Sequence, residues 1–217
     1  MIVDPSSQPP LNIYKLLAGS VVPRPIAFVS TISPDGVNNL APFSFFNAVC
    51  ADPPTVLFCP NNRNPTKDTL RNVRATGEFV INIVSEEFAD KMNVCAGDYP
   101  AGVDEFEVSG LTPGRCDFVK PPRVLEAHVN MECKVTQIIQ IGDRALSGNV
   151  VLGEVLRFHI DDDIVHDFKI DPDKLRAVGR MGGNEYTKAR DRFELIRPVV
   201  SLTEPFVMPH ETARQRG

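Results

Sequence analysis

Residues 39–47 read NLAPFSFFN. Phe43, Phe45 and Phe46 fall within four positions, interrupted and flanked by Asn, Pro and Ser. A buried strand ordinarily draws on Val, Ile and Leu and carries no proline in its middle. The stretch follows PRPIAFVSTIS (23–33), which reads as a strand whose prolines lie at its start, and PDGV (34–37), a turn signal with Asp-Gly at its centre. Residues 38–48 are therefore expected to return antiparallel, as the second arm of a hairpin. Alternation along that arm sends Phe43 and Phe45 to one side and Ser44 and Phe46 to the other. One set can pack in a core while the other meets a ligand or a second subunit. Pro42 removes one ladder donor, which suits an edge strand.

Outward from this hairpin, PTVLFCP (54–60) and EFVINIVS (78–85) read as further strands. EAHVNMECKVTQIIQI (126–141) alternates with period two: Val129, Met131, Cys133 and Val135 point one way, and His128, Asn130, Glu132 and Lys134 the other, toward solvent. NVVLGEVLRFHID (149–161) is its expected antiparallel partner, and RFELIRP (192–198) reads as a last short strand. The clearest helix is 64–77, with Asn64 as cap, Pro65 in the first turn, Leu70 and Val73 on one face, and Gly77 as the stop. Shorter helical segments are expected at 13–19, at 86–97, and on both sides of a glycine-rich break in 171–191; residues 98–122 read as a long irregular excursion. Strands mostly follow one another through tight turns, and helices are insertions. This order points to a mainly β protein with added helices, an antiparallel barrel rather than a doubly wound sheet. The chain divides into an N-terminal arm (1–11), one domain (12–197) and a C-terminal tail (198–217).

The totals exclude several classes. Across 217 residues, 42% are hydrophobic and 24% charged, which a globular domain requires. The net charge of −5 gives no footing for nucleic acid or an anionic membrane. No apolar run approaches the roughly 20 residues of a membrane span, and the N-terminus lacks a basic region followed by an apolar one. Five cysteines, with no CxxC pair, argue against a disulfide framework or a zinc site. Free buried thiols in a reducing compartment fit a cytoplasmic protein.

The segment NRNPTKDT (62–69) brings Arg63, Lys67, Thr66 and Thr69 to a helix N-terminus, where backbone N–H groups and a partial positive charge also gather. That combination suits a phosphate, provided Asp68 turns toward a cation; a well-capped surface helix is the plainer alternative. GRMGGNEY (179–186) lacks the spacing of a dinucleotide fingerprint, but Gly182 and Gly183 permit close backbone approach to a ligand; a simple helix break is the alternative. HIDDDIVHD (159–167) matches no ligand spacing for a metal and reads as an acidic turn, with His159 at a strand end where it can line a pocket. No GxSxG or HExxH occurs, so any reactivity is expected to come from a cofactor.

Taken together, residues 23–58, 67–84 and 179–186 resemble the flavin reductase-like family with the FMN-binding split β-barrel, a Greek-key type of barrel. The ordered run PRPIA, Asp-Gly, APFSFFN carries most of that likeness. The resemblance implies FMN in a groove at a homodimer interface, with its phosphate near Arg63, Lys67 and Thr69. It implies Ser30, Thr31, Ala41, Ser44, Phe45 and Asn47 along the ring and ribityl chain, and Gly183 and Tyr186 closing one side. It further implies hydride transfer from NADH or NADPH to flavin N5, with His159 shaping the nicotinamide face. The electron acceptor would be a small molecule, free flavin or a partner monooxygenase. A flavin-binding or electron-transfer protein without NAD(P)H turnover is the alternative that the same fold admits.

Overall fold

A computed structural model describes residues 1–198. Strand β1 (Ala27–Ile32) pairs antiparallel with β2 (Asn38–Phe43), Ala27 opposite Phe43 and Ile32 opposite Asn38. The turn between them is closed by Ser33 N–H on the Val37 carbonyl (2.8 Å), with Gly36 at φ 87°, where a side chain would be strained. The expected return strand is shorter than 38–48. It stops at Phe43, the chain turns at Ser44 and Phe45, and residues Phe46–Ala51 form a new strand, β3, that pairs with β4 (Pro54–Phe58). The alternation expected across Phe43 and Phe45 therefore fails at this corner. Phe43 enters the core, whereas Phe45 remains half-buried at the surface.

Helices α1 (Pro10–Ser20) and α2 (Asp68–Thr76) precede β5 (Glu78–Ile83). Then come α3 (Ala89–Val94), α4 (Glu105–Ser109), the short β6 (Pro113–Gly114) and β7 (Arg123–Val124), and the long hairpin of β8 (Val129–Ile141) and β9 (Gly148–Ile160). The chain ends with β10 (Val165–His166), β11 (Lys169–Ile170), α5 (Pro172–Leu175), β12 (Val178–Arg180) and β13 (Tyr186–Lys188). Seven strands form one antiparallel sheet in the order β2-β1-β5-β8-β9-β4-β3. Its two edge strands, β2 and β3, are consecutive in the chain. The sheet thus curls into a barrel that stays split along one seam, and Ser44–Phe45 is the turn that carries the chain across it from β2 to β3.

Inside the barrel lie Val29, Phe43, Phe58, Phe79, Ile81 and Val151, with Leu70 and Val73 of α2 closing one end. Three aromatic rings pack in series, Phe43 tilted against Phe58 at 5.1 Å and Phe58 edge-on to Phe79 at 5.2 Å. Gly153 of β9 makes room for them, since a Cβ there would lie 2.3 Å from Phe79 Cζ. On the outer face of β1 and β2, Phe28 and Leu40 pack beneath Phe88, Met92 and Phe106 from the helical excursion. Strand β1 is consequently buried on both faces.

The alternation of β8 is present, but its polar face is not all solvated. Asn130 and Glu132 are buried because residues 113–124 fold over them. Glu132 accepts hydrogen bonds from the backbone N–H groups of Asp117 (2.9 Å), Phe118 (2.6 Å) and Val119 (3.1 Å). Burial alone would raise its pKa; these donors and His159 outweigh burial and hold it below the usual carboxylate value.

Four expectations change. The helix at 64–77 begins only at Asp68, because Lys67 takes an extended ψ of 139° and Asn64 does not cap it. The helix expected at 13–19 is longer and runs from Pro10 to Ser20. In 171–191, α5 is one turn, ended by Arg176 at φ 48°, and the second helix is replaced by the β12–β13 hairpin. Backbone bonding to Arg24 in both directions (3.0 and 2.8 Å) overrides the helical composition there. Residues 192–198 form no strand. Residues 199–217 of the expected tail lie outside the described residues. Among the described residues, no helix is long and apolar enough to cross a membrane.

Candidate functional site

Two clefts meet at the barrel seam. The smaller, about 210 Å³, runs between Phe45, Cys59, Asn61 and Lys67. The larger, about 610 Å³, runs between Ile26, Asn93, Arg180 and Tyr186. Both are bounded by Tyr14, Pro42 and Ser44, so the corner at residues 44–45 divides one continuous groove. The open edge of β2 forms its floor. Leu40 N–H on that edge is taken by the Glu105 carboxylate (2.9 Å), and Pro42, two residues on, has no N–H to satisfy.

The smaller cleft ends on cations. Lys67 Nζ sits 5.8 Å from the centre of the Phe43 ring, and burial, followed by the neighbouring Arg63, lowers its pKa. Among the described residues no carboxylate pairs with Lys67. Arg63 pairs with Asp98 through one terminal nitrogen, while its Nε is buried with no partner. Asp68 turns to Arg71 (2.8 Å) and so leaves the helix end. The first amides of α2, at Asp68, Thr69 and Leu70, have no intrahelical acceptor. An orphaned buried N–H beside an unpaired ammonium is costly unless an anion completes it, so the residues present fit a phosphate.

The structure distributes the sequence-predicted residues unevenly. Ser44, Phe45 and Lys67 line the groove, as does Tyr186 at its far end. Asn47 is exposed on β3, its Oδ1 held by the Ala48 N–H (2.9 Å). Gly183 sits at the β12–β13 turn with φ 57°, its carbonyl bonded by Arg180 (2.6 Å). Ala41 faces the core. Ser30 and Thr31 have no exposed surface, and as neighbours on one strand they point to opposite faces. Ser30 donates to the Pro122 carbonyl (2.5 Å), whereas Thr31 accepts from Asn39 and Asn72, both at 3.0 Å. The hydroxyl of Thr69 accepts from the same Asn39 amide (3.0 Å). Thr31 and Thr69 therefore support the start of α2 from beneath rather than touching the groove. His159 lies outside both clefts, its Nε2 2.6 Å from Glu132 Oε1.

Arg24 was missed as a site residue. It is 4% exposed, yet its guanidinium donates to the carbonyls of Ala18, Val21 (2.8 Å) and Met181 (2.9 Å), and its Nε to Ser44 Oγ (3.3 Å). One side chain thus ties α1, the β12–β13 hairpin and the seam corner together. Burial, partly countered by Tyr14, lowers its pKa. Its place inside the run PRPIA was the available signal. Arg180, stacked 4.5 Å over the Tyr186 ring, was also missed.

The sequence pattern of the flavin reductase like domain matches residues 18–170. A protein of Aquifex aeolicus is 46% identical over 181 residues, covering 82% of this chain and 90% of its own length. Nitrilotriacetate monooxygenase component B from Bacillus cereus has the same fold with a TM-score of 0.87 at 34% identity, covering 90% of this chain and 98% of its own. The 2-nitrobenzoate 2-nitroreductase NbaA of Pseudomonas fluorescens superposes with a TM-score of 0.82 at 30% identity, over 96% and 100%. A mainly antiparallel split barrel, a cationic groove at its seam and these matches lead to one assignment: the chain belongs to the flavin reductase-like domain family.

Proposed function

We propose that the protein is an FMN-dependent NAD(P)H oxidoreductase. The observation that carries this is Lys67 without an ion-pair partner beside the Arg63 Nε without a hydrogen-bond partner, both among the described residues, at the foot of α2 and the end of a groove walled by Phe45. Lys67, Arg63 and the first amides of α2 hold the phosphate. Ser44, Phe45 and the open edge of β2 position the ring, and Tyr14 covers it. Bound there, FMN supplies the redox chemistry by accepting a hydride from NADH or NADPH at N5. The protein need only hold the two rings close and keep water out, so the Cys59 thiol on the groove wall, its pKa raised by burial, is not needed as a nucleophile.

A homodimer completes the site in this reading. Strand β3 is an edge exposed from Asn47 to Ala51, with Val49 49% exposed. Leu156 and Phe158 on β9 are also open to solvent. A second copy laid over β3 buries these groups beside the seam. The Bacillus cereus neighbour, a monooxygenase component, supports a partner monooxygenase as electron acceptor; the nitroreductase neighbour supports direct reduction of a small aromatic molecule. The cytoplasm, with its reduced thiols and NAD(P)H, is the proposed compartment. Anaerobic mixing of FMN-loaded protein with NADH and NADPH tests the activity: rapid loss of the flavin absorbance supports it. A flavin that stays oxidised with both nucleotides leaves an FMN-binding protein without NAD(P)H turnover.

A further inference from the structure

The larger cleft carries positive charge of its own. Its cationic wall is Arg180, pinned by three neighbours in series. The guanidinium stacks 4.5 Å over Tyr186 and donates to the Gly183 carbonyl (2.6 Å), and the Tyr186 hydroxyl is fixed on Asn93 Oδ1 (3.2 Å). This contact with Gly183 is the only side-chain hydrogen bond Arg180 makes among the described residues, so most of its five N–H donors remain free. Behind it, buried Arg24 is satisfied by three carbonyls and a hydroxyl, all neutral. Among the described residues neither guanidinium meets a carboxylate within ion-pair distance, although the chain as a whole carries a net charge of −5. The two also lie close enough for Arg180 to lower the pKa of Arg24. A local excess of positive charge is thus built into one end of the groove.

We infer that this end is a binding site for a planar organic anion, an aromatic carboxylate. The assignment rests on the flavin reading in one respect: FMN, with one phosphate, occupies the Lys67 end and leaves Arg180 to its partner. The chemistry follows from the walls. Ile26, Pro42 and Met92 line the cleft with apolar groups, Arg180, stacked over the Tyr186 ring, presents a forked donor suited to a carboxylate, and about 610 Å³ holds a substituted benzene ring with room to spare. Because stacking and the Gly183 carbonyl hold the cation in place, little side-chain freedom is lost on binding.

The probes are benzoate and its neutral isostere benzamide, titrated calorimetrically into the full chain, with tyrosine emission as a second readout. The protein has no tryptophan, and two of its three tyrosines line this cleft, so binding here must change that emission. Benzoate is expected to bind the wild type at least tenfold more tightly than benzamide. Arg180→Gln should weaken benzoate roughly ten- to a hundredfold while moving benzamide less than about threefold, and Arg180→Lys should fall between. Retained benzamide binding shows that the variants are folded. Equal affinity for the two probes, no binding of either by the wild type, or a benzoate affinity unchanged in Arg180→Gln overturns the assignment. Binding of ADP that depends on Arg180, with no such dependence for benzoate, also overturns it in favour of a pyrophosphate. A parallel FMN titration of the wild type reports on the flavin reading separately, so the failure of either leaves the other legible.

Discussion

Gly153→Ala tests whether the barrel interior is packed tightly enough to fix the seam. A Cβ at this position falls 2.3 Å from Phe79 Cζ and 2.5 Å from Cε1. Carbon atoms in contact normally lie about 3.5–4.0 Å apart, so the ring must retreat by at least ~1.2 Å. It has little room to do so: Phe79 and Phe58 have no exposed surface, and Phe58 in turn abuts Phe43, the residue before the seam corner. Overpacking of this kind costs about 1–3 kcal/mol. Replacing glycine also restricts the unfolded chain, which returns about 0.4–1 kcal/mol. The midpoints of these ranges leave a net destabilisation of about 1.3 kcal/mol, a Tm lower by roughly 3–5 °C in a protein of this length. Thermal melts by circular dichroism measure it. Phe79→Leu in the Gly153→Ala background should recover stability, although Phe79→Leu alone costs stability, giving a coupling of about 1 kcal/mol or more. A Tm equal to or above the wild type in Gly153→Ala, or strict additivity in the double variant, refutes this packing account.

Two further outcomes follow from the side-chain chemistry. Glu86 is held at a pKa of about 2 by its hydrogen bond from Arg190, against a burial effect of opposite sign, with Lys188 adding to the lowering. A depressed carboxylate stabilises above its unfolded value and loses that contribution as pH falls, so the Tm difference between wild type and Glu86→Gln should shrink between about pH 4.5 and pH 2; a constant difference contradicts the assignment. Among the thiols, Cys50 is exposed, whereas burial pushes Cys95 up to about 11, Cys116 up to about 12 and Cys133 higher still. A thiol reagent at pH 8 should therefore reach these three only on unfolding and Cys50 only where the second copy leaves β3, and FMN should slow the modification of Cys59 in the smaller cleft.

The parts of this fold that short-range rules govern were legible. Asp-Gly between two apolar runs gave the β1–β2 hairpin, and the period of two from Val129 gave β8. The cation-bearing start of α2 followed from residue types alone, although the helix begins at Asp68, four residues after the expected Asn64. Other features depend on what packs against a segment. Asn130 and Glu132 alternate as solvated residues do, yet a distant loop supplies the amides that bury them. Residues 178–188 have helical composition, but backbone bonds to Arg24 make them a hairpin. Ser30 and Thr31 matched the family pattern, and only the register of β1 shows both enclosed. Arg24 illustrates the limit: a buried guanidinium whose partners are carbonyls from residues 18 to 181 leaves no periodic trace.

The central claim is that the foot of α2 binds the phosphate of FMN. Its most direct test is equilibrium titration of FMN, followed by quenching of flavin fluorescence, with wild type and Lys67→Ala, and with riboflavin in place of FMN. Loss of one charge-assisted contact should weaken FMN by about 1.5–3 kcal/mol, roughly ten- to a hundredfold, and leave riboflavin nearly unaffected. Wild-type protein that binds FMN no better than riboflavin, or a Lys67→Ala variant with unchanged FMN affinity, contradicts it.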